Sequence, residues 1–202
     1  AHGLSGVLLV LIGIYANGIK EKNIVDIVET GIKYILSFKR EIDFYVENFA
    51  MFPEKVKLNH EVEFSNQLTW AASDLNQAIL LYKAHDLLKY KDLPKIADLI
   101  GLNTLIRQEE KSTQIVSSNF YDGAAGVAQS YRNLYVLSKH QAYWEGYKFW
   151  IEKTVFFLDK EIQDKKNLNP KLNLLNGIPG VGLTLLSFVS KEELFWNKYF
   201  FA

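Results

Sequence analysis

The sequence contains no cysteine among its 202 residues. This absence excludes disulfide bonds, thiolate metal sites and a cysteine nucleophile, and it leaves the redox compartment open. The sequence also lacks an excess of either charge, because 23 Lys and Arg residues balance 23 Asp and Glu residues. A net charge of zero gives no indication of a nucleic-acid partner or an anionic membrane surface.

Long hydrophobic runs are missing as well. The longest, Val7 to Ala16, is shorter than the roughly 20 residues that span a bilayer, and it is typical of a buried helix. No basic region precedes it, which argues against a signal peptide. The chain opens at Ala1-His2 without a methionine, so we expect the natural protein to start further upstream. No segment shows strand alternation with hairpin signals.

A small-residue element recurs before apolar runs. Its copies are Gly3–Gly6, Gly123–Gly126 and Gly177–Gly180, with a degraded copy at Ser73–Asn76. Small residues three positions apart let a neighbouring backbone approach, and an apolar run packs on all sides. The sequence therefore predicts four inner-helix starts.

Amphipathic stretches lie between these copies. Residues 24–42 and 141–162 carry apolar side chains at helical spacing, which predicts outer helices with one wet face. Connections are predicted near residues 52–63, 113–119 and 165–172. The sequence thus predicts a single all-α domain over residues 1–202, in which inner and outer helices alternate in a toroid or solenoid.

Four motifs resemble those of the lanthionine synthetase C-like (LanC-like) cyclase family, in the family's order and at about its spacing. They are Ala-His-Gly-Leu-Ser-Gly at 1–6, Trp-Ala-Ala-Ser-Asp at 70–74, Tyr-Asp-Gly-Ala-Ala-Gly at 121–126 and Asn-Gly-Ile-Pro-Gly-Val-Gly-Leu at 176–183. The resemblance covers the whole chain and corresponds to about the second half of a family domain. It implies part of an α/α toroid that lacks its amino-terminal half, a central cavity at the inner-helix starts, and a cytoplasmic location.

In an active family member, the resemblance implies, two Cys and one His hold a zinc ion in that cavity. The zinc binds a peptide cysteine as thiolate, which adds to a dehydroalanine or dehydrobutyrine. The metal is needed because a free thiol, with a pKa near 8.5, is mostly protonated at neutral pH. Here the ligand positions hold Ala71, Tyr121 and Asp122, and only the carboxylate is an ordinary zinc ligand. We therefore expect no zinc cofactor and no zinc-dependent cyclase activity.

Three residues are candidate catalytic groups. His2 matches a family histidine implicated in proton transfer. Asp74 and Asp122 stand beside inner-helix starts, where helix capping or an interaction with the helix dipole is the simplest interpretation. Alternatively, both carboxylates face the cavity and perform acid–base chemistry, as in glycoside-cleaving toroids, or form an oxygen-rich metal site with His2.

Three functions follow from these patterns. The first is a degenerate cyclase-like domain that binds a peptide or protein partner in peptide modification, without zinc chemistry. The second is an active lanthionine-forming cyclase completed by a missing amino-terminal half or working without zinc. The third is a toroidal hydrolase that uses Asp74 or Asp122. The expected partners are a peptide and the amino-terminal half, with no nucleic acid and no membrane span. We also expect the aromatic residues near the end of the chain to dock onto the ring or a partner: Phe195, Trp196, Tyr199, Phe200 and Phe201.

Overall fold

The computed structural model describes residues 3–43, 45–164, 172–190 and 196. These residues form helices joined by loops, with one two-stranded antiparallel hairpin, so the all-α prediction is confirmed. In chain order the elements are α1 (Gly3–Ala16), α2 (Lys22–Leu36), β1 (Lys55–Val56), β2 (Val62–Glu63), α3 (Asp74–Leu88), α4 (Leu93–Thr104), α5 (Glu110–Thr113), α6 (Ala124–Ser138), α7 (Gln141–Gln163) and α8 (Ile178–Val189).

Four inner helices form an arc. Helices α1, α3, α6 and α8 begin at the four predicted small-residue elements, and each contacts the next one along the chain. The outer helices α2, α4 and α7 pack against α1, α3 and α6. This arrangement is part of an α/α toroid, as the sequence predicts. Helices α3 and α6, which have an inner helix on each side, are buried on most sides, and this explains why they lack a pronounced polar stripe.

The small residues of the repeat admit a backbone carbonyl. A Cβ atom added to Gly126 would overlap the carbonyl oxygen of Phe120, and one added to Gly180 would overlap that of Leu174. Both carbonyls stand six residues before the glycine. The predicted close approach is therefore confirmed at Gly126 and Gly180, where the approaching backbone is that of the loop leading into the same helix, but not at Gly3, which has nothing within 4 Å.

The outer helices match their predictions unequally. Helix α7 covers the predicted 141–162 almost residue for residue. Helix α2 ends at Leu36, six residues before the predicted end. The reason lies just beyond, where the main chain of Arg40 donates to the carbonyl of Met51 and its Nε donates to the carbonyl of Ala50. These bonds hold the chain in an extended course against the segment that follows.

Several elements were not predicted. The hairpin of β1 and β2 lies inside the predicted connection 52–63, and strands of two residues are too short to show alternation. Helix α4 was not predicted as a separate element either. No helix in the described part of the chain is long and apolar enough to cross a membrane.

The prediction that the terminal aromatic residues dock onto the ring is confirmed for Trp196. Its ring lies 5.6 Å from that of Phe120, and its Nε1 donates to the hydroxyl of Ser187 at 3.0 Å. The other four aromatic residues of that prediction lie outside the described residues, as does His2.

Candidate functional site

Main-chain hydrogen bonds join the loops that lead into three inner helices. The N–H of Ala71, before α3, donates to the carbonyl of Tyr121, before α6, at 3.1 Å. The N–H of Tyr121 in turn donates to the carbonyl of Leu175, before α8, at 2.9 Å. The starts of these helices therefore lie side by side on one face of the arc. This is where the resemblance places the central cavity.

The residues at the three zinc positions differ in exposure. Ala71 is buried, Tyr121 is half-buried, and Asp122 is exposed. The ring of Tyr121 packs edge-on against Trp70, with ring centroids 6.2 Å apart. The main-chain N–H of Asp122 donates to Asn119 Oδ1, which holds the turn ahead of α6. The structure thus places the loops that carry positions 71 and 121 next to each other.

These residues do not fit a zinc ion of the family type. The methyl group of Ala71 has no donor atom, and a protonated phenol such as that of Tyr121 is a poor ligand. The described residues contain no group of three or more His, Cys, Asp or Glu side chains placed to hold a metal. The absence of a zinc cofactor stays a prediction, which metal analysis can test.

Asp74 has a buried and fully engaged carboxylate. Its Oδ2 lies 3.2 Å from Nη1 of Arg107, and the main-chain N–H groups of Met51 and Phe52 donate to its two oxygens at 3.0 and 3.1 Å. The capping alternative is wrong for this residue, because its side chain bonds to the 51–52 main chain and no side-chain cap closes α3. Asp74 does stand in the first turn of α3, where the other alternative, an interaction with the helix dipole, applies. Burial raises the pKa of Asp74, while Arg107 and the two N–H groups lower it.

Arg107 is the residue of this site that the sequence did not reveal. Its side chain is 1% exposed, and it also donates to the carbonyls of Ser112 and Asn66. Through these bonds it ties the loop before α3 to the segment that follows α4. No motif surrounds Arg107, so only the fold shows that it faces Asp74.

The two candidate carboxylates occupy different environments. Asp74 is buried and paired, whereas Asp122 is exposed and its side chain caps neither α6 nor another helix in the described part of the chain. A shared acid–base role would require one carboxyl group to leave its ion pair, which is costly for a buried charge. Their catalytic role, and that of His2, stays a prediction.

A pocket of about 390 Å³ opens beside Ala71. The starts of α1 and α3, the end of α2 and the segments 50–56 and 65–67 form its walls. Apolar and polar groups alternate in the lining, as in most pockets that bind organic ligands. The lining includes the aromatic residues Phe38 and Phe52, the small residue Ala72 and the amides of Gln67 and Gln77.

Comparisons with known proteins agree with this architecture. The family model described as lanthionine synthetase C-like protein matches residues 1–201. The solved structure of nisin cyclase superposes on the whole chain with a TM-score of 0.76 and 16% sequence identity, and at that identity the likeness shows the fold alone. The chain spans 48% of the length of nisin cyclase. A comparison with curated protein sequences finds no match.

The match over residues 1–201 agrees with the ordered motifs, and the inner helices begin where those motifs stand. The chain belongs to the lanthionine synthetase C-like protein family.

Proposed function

We propose that this chain is a cyclase-like domain that binds a peptide in a peptide-modification system and performs no zinc chemistry. The observation that carries the proposal is the pair Ala71 and Tyr121. Their main chains are hydrogen-bonded to each other on the face of the arc where the inner helices start, while their side chains supply no thiolate. The scaffold of the family site is present and its metal-binding chemistry is not.

The pocket beside Ala71 supports the binding part of the proposal. Its volume of about 390 Å³ lies within the range of about 300–1,000 Å³ that is usual for ligand sites. The ion pair of Asp74 and Arg107 fixes one wall, because it joins the start of α3 to the 50–52 segment and to the end of α4. A wall held by buried bonds keeps its shape before the ligand arrives, which lowers the entropic cost of binding.

The setting follows from the family. A cytoplasmic location and an amino-terminal half toroid as partner, on the same or a second chain, belong to this proposal. The coverage of 48% of nisin cyclase is compatible with such a half. An active cyclase would need zinc ligands from outside these positions or a mechanism without zinc. A hydrolase that uses Asp74 would need this residue to leave its ion pair, and one that uses Asp122 would work with an exposed carboxylate.

The test uses a peptide that carries one cysteine and one dehydroalanine. Thioether formation conserves mass, so the readout is the fraction of peptide thiol that iodoacetamide still alkylates. We expect full alkylation after incubation with the chain at saturating zinc, and binding of the same peptide by fluorescence anisotropy. Loss of the free thiol would establish cyclase activity and overturn the proposal. Absence of peptide binding would overturn it as well.

A further inference from the structure

The pocket beside Ala71 has a neutral lining. Among the described residues, the charged members of its lining are Asp74, Glu54 and Lys55. Asp74 is neutralised by Arg107, while Glu54 and Lys55 are exposed and carry opposite charges. A ligand with a net charge would meet only the exposed side chains of Glu54 and Lys55, whose charges water screens, and no buried counter-charge to offset the cost of leaving water. The charges therefore favour an uncharged occupant.

Two primary amides face the pocket with hydrogen-bonding capacity to spare. The Oε1 of Gln77 accepts from the hydroxyl of Ser5 at 3.1 Å, and no described residue accepts from its Nε2. The side-chain amide of Gln67 has no hydrogen bond to any residue in the described part of the chain. A primary amide offers two donors and an acceptor, which matches the carbonyl and N–H groups of a peptide unit.

The apolar part of the pocket comes from aromatic rings and small side chains. Phe52 is buried, Phe38 is half-buried, and Ala71 and Ala72 leave space at the start of α3. This wall can take an apolar side chain of leucine or phenylalanine size, with its flanking peptide groups near Gln67 and Gln77. Burial of such a side chain is favourable, and the amides fix its orientation.

We infer that this pocket binds an uncharged peptide segment through one large apolar side chain, with Gln67 and Gln77 holding the adjacent peptide groups. The inference rests on the proposed function and adds the substrate class and the residues that select it. It assigns the selecting role to side chains outside the positions of the family zinc ligands.

The test uses four capped amino acids as probes: the N-acetyl amides of phenylalanine, leucine, lysine and glutamate. Amide chemical shifts of the isotope-labelled chain are followed by NMR as each probe is added. We expect the phenylalanine and leucine probes to shift residues around the pocket and to bind at least fivefold more tightly than the charged probes. Equal affinities, or shifts confined to another surface, would overturn the inference.

Two variants test the named residues. Gln77→Glu keeps the oxygen that accepts from Ser5 and loses the N–H donor. The affinity for the phenylalanine probe should fall about fivefold, which corresponds to the loss of one hydrogen bond. The affinity for the lysine probe should rise. Gln108→Glu makes the same change at an exposed glutamine outside the pocket and should change nothing. Ala72→Trp should fill the pocket and abolish binding. Native affinity in Gln77→Glu and Ala72→Trp would overturn the inference.

The outcome separates this inference from the proposed function. If the cysteine–dehydroalanine peptide binds with its thiol intact while the capped probes do not use the pocket, peptide binding stands and the assignment to this pocket fails. If that peptide does not bind, or is cyclised, the proposed function fails first.

Discussion

Asn76 and Gly126 occupy equivalent positions in two inner helices. Each stands six residues after a loop carbonyl that lies against the helix start, that of Trp70 for Asn76 and that of Phe120 for Gly126. Gly126 leaves room for the carbonyl, whereas Asn76 donates to it from Nδ2 at 2.9 Å. The degraded copy of the repeat thus keeps the contact and replaces close packing with a hydrogen bond.

Three glycines give a graded test of packing. Gly126→Ala should destabilise most, by about 3 kcal/mol, because the new methyl group meets the backbone of Phe120. Gly101→Ala should cost less, because the methyl meets the hydroxyl end of the Tyr143 side chain. Position 101 still has no free space, because the added methyl would overlap the Tyr143 hydroxyl oxygen. Gly182→Ala meets nothing within 4 Å and should stabilise by about 0.5–1 kcal/mol.

Urea unfolding followed by circular dichroism measures this order. A Gly126→Ala midpoint equal to that of Gly182→Ala would contradict the close approach of the Phe120 carbonyl.

The buried ion pair should contribute strongly to stability. Asp74→Asn leaves Arg107 as an uncompensated buried cation, and we expect a loss of about 3–5 kcal/mol in the free energy of unfolding. The exposed pair Lys95 and Asp92 provides the control, and Asp92→Asn should cost less than about 1 kcal/mol. Chemical denaturation compares the two. Similar losses would mean that Asp74 is not buried with its partner.

Removal of the hydroxyl group should affect the free energy of unfolding differently at two buried tyrosines. The hydroxyl of Tyr131 donates to Thr104 Oγ1 at 2.9 Å, so Tyr131→Phe should lose about 1 kcal/mol. The hydroxyl of Tyr147 is buried and has no hydrogen-bond partner among the described residues. Tyr147→Phe should therefore be neutral or stabilising by about 1 kcal/mol. A clear loss in this variant would show that an acceptor or a bound water serves this hydroxyl.

Tyr147 also predicts a pH dependence. Burial raises its pKa from 10 to about 12 in the folded chain. Between those values the unfolded chain loses this proton first, so the folded chain binds more protons and stability falls as pH rises from about 10 to 12. Tyr147→Phe should make the decline shallower over that window. Denaturation midpoints measured at pH 9, 10 and 11 test this, and unchanged slopes would contradict it.

Restoring the family's ligands should restore metal binding. We expect Ala71→Cys, Tyr121→Cys and Asp122→His together to bind about one zinc per chain, because the main-chain bond between positions 71 and 121 already holds the two loops together. The parent chain should carry none. Elemental analysis after dialysis measures both. A folded triple variant without zinc would show that these positions do not converge.

Helices α1 and α8, the first and last inner helices, each expose apolar side chains that should bind apolar partners. Helix α1 exposes Leu4, Val7 and Val10, and α8 exposes Leu186 and Val189. We expect residues 1–202 alone to self-associate or to enhance the fluorescence of the dye ANS. Val7→Lys together with Val189→Lys should reduce either effect. A monodisperse, dye-silent chain in sedimentation experiments would contradict this expectation.

The sequence predicts the inner helices well because glycine spacing and uninterrupted apolar runs are local signals. Helix α7 is also predicted closely, since its apolar side chains recur at helical spacing throughout. The end of α2 could not be predicted, because it depends on bonds from Arg40 to residues ten or more positions away. The pairing of Asp74 with Arg107 could not be predicted for the same reason, since 33 residues separate them.

In the candidate site, too, local features could be predicted and long-range contacts could not. The substitutions at positions 71, 121 and 122 can be read from the motifs alone. The pocket could not, because its walls come from five separate segments of the chain.

The hydrogen bonds from Ala71 to Tyr121 and from Tyr121 to Leu175 join main-chain atoms. These two bonds can form whatever side chain stands at positions 71 and 121, although the present Tyr121 ring also packs against Trp70. Mutations there can remove or replace chemistry while the chain keeps folding and continues to be maintained by selection for another role. The chemical groups at these two positions can therefore change without breaking the main-chain bonds that join the helix starts.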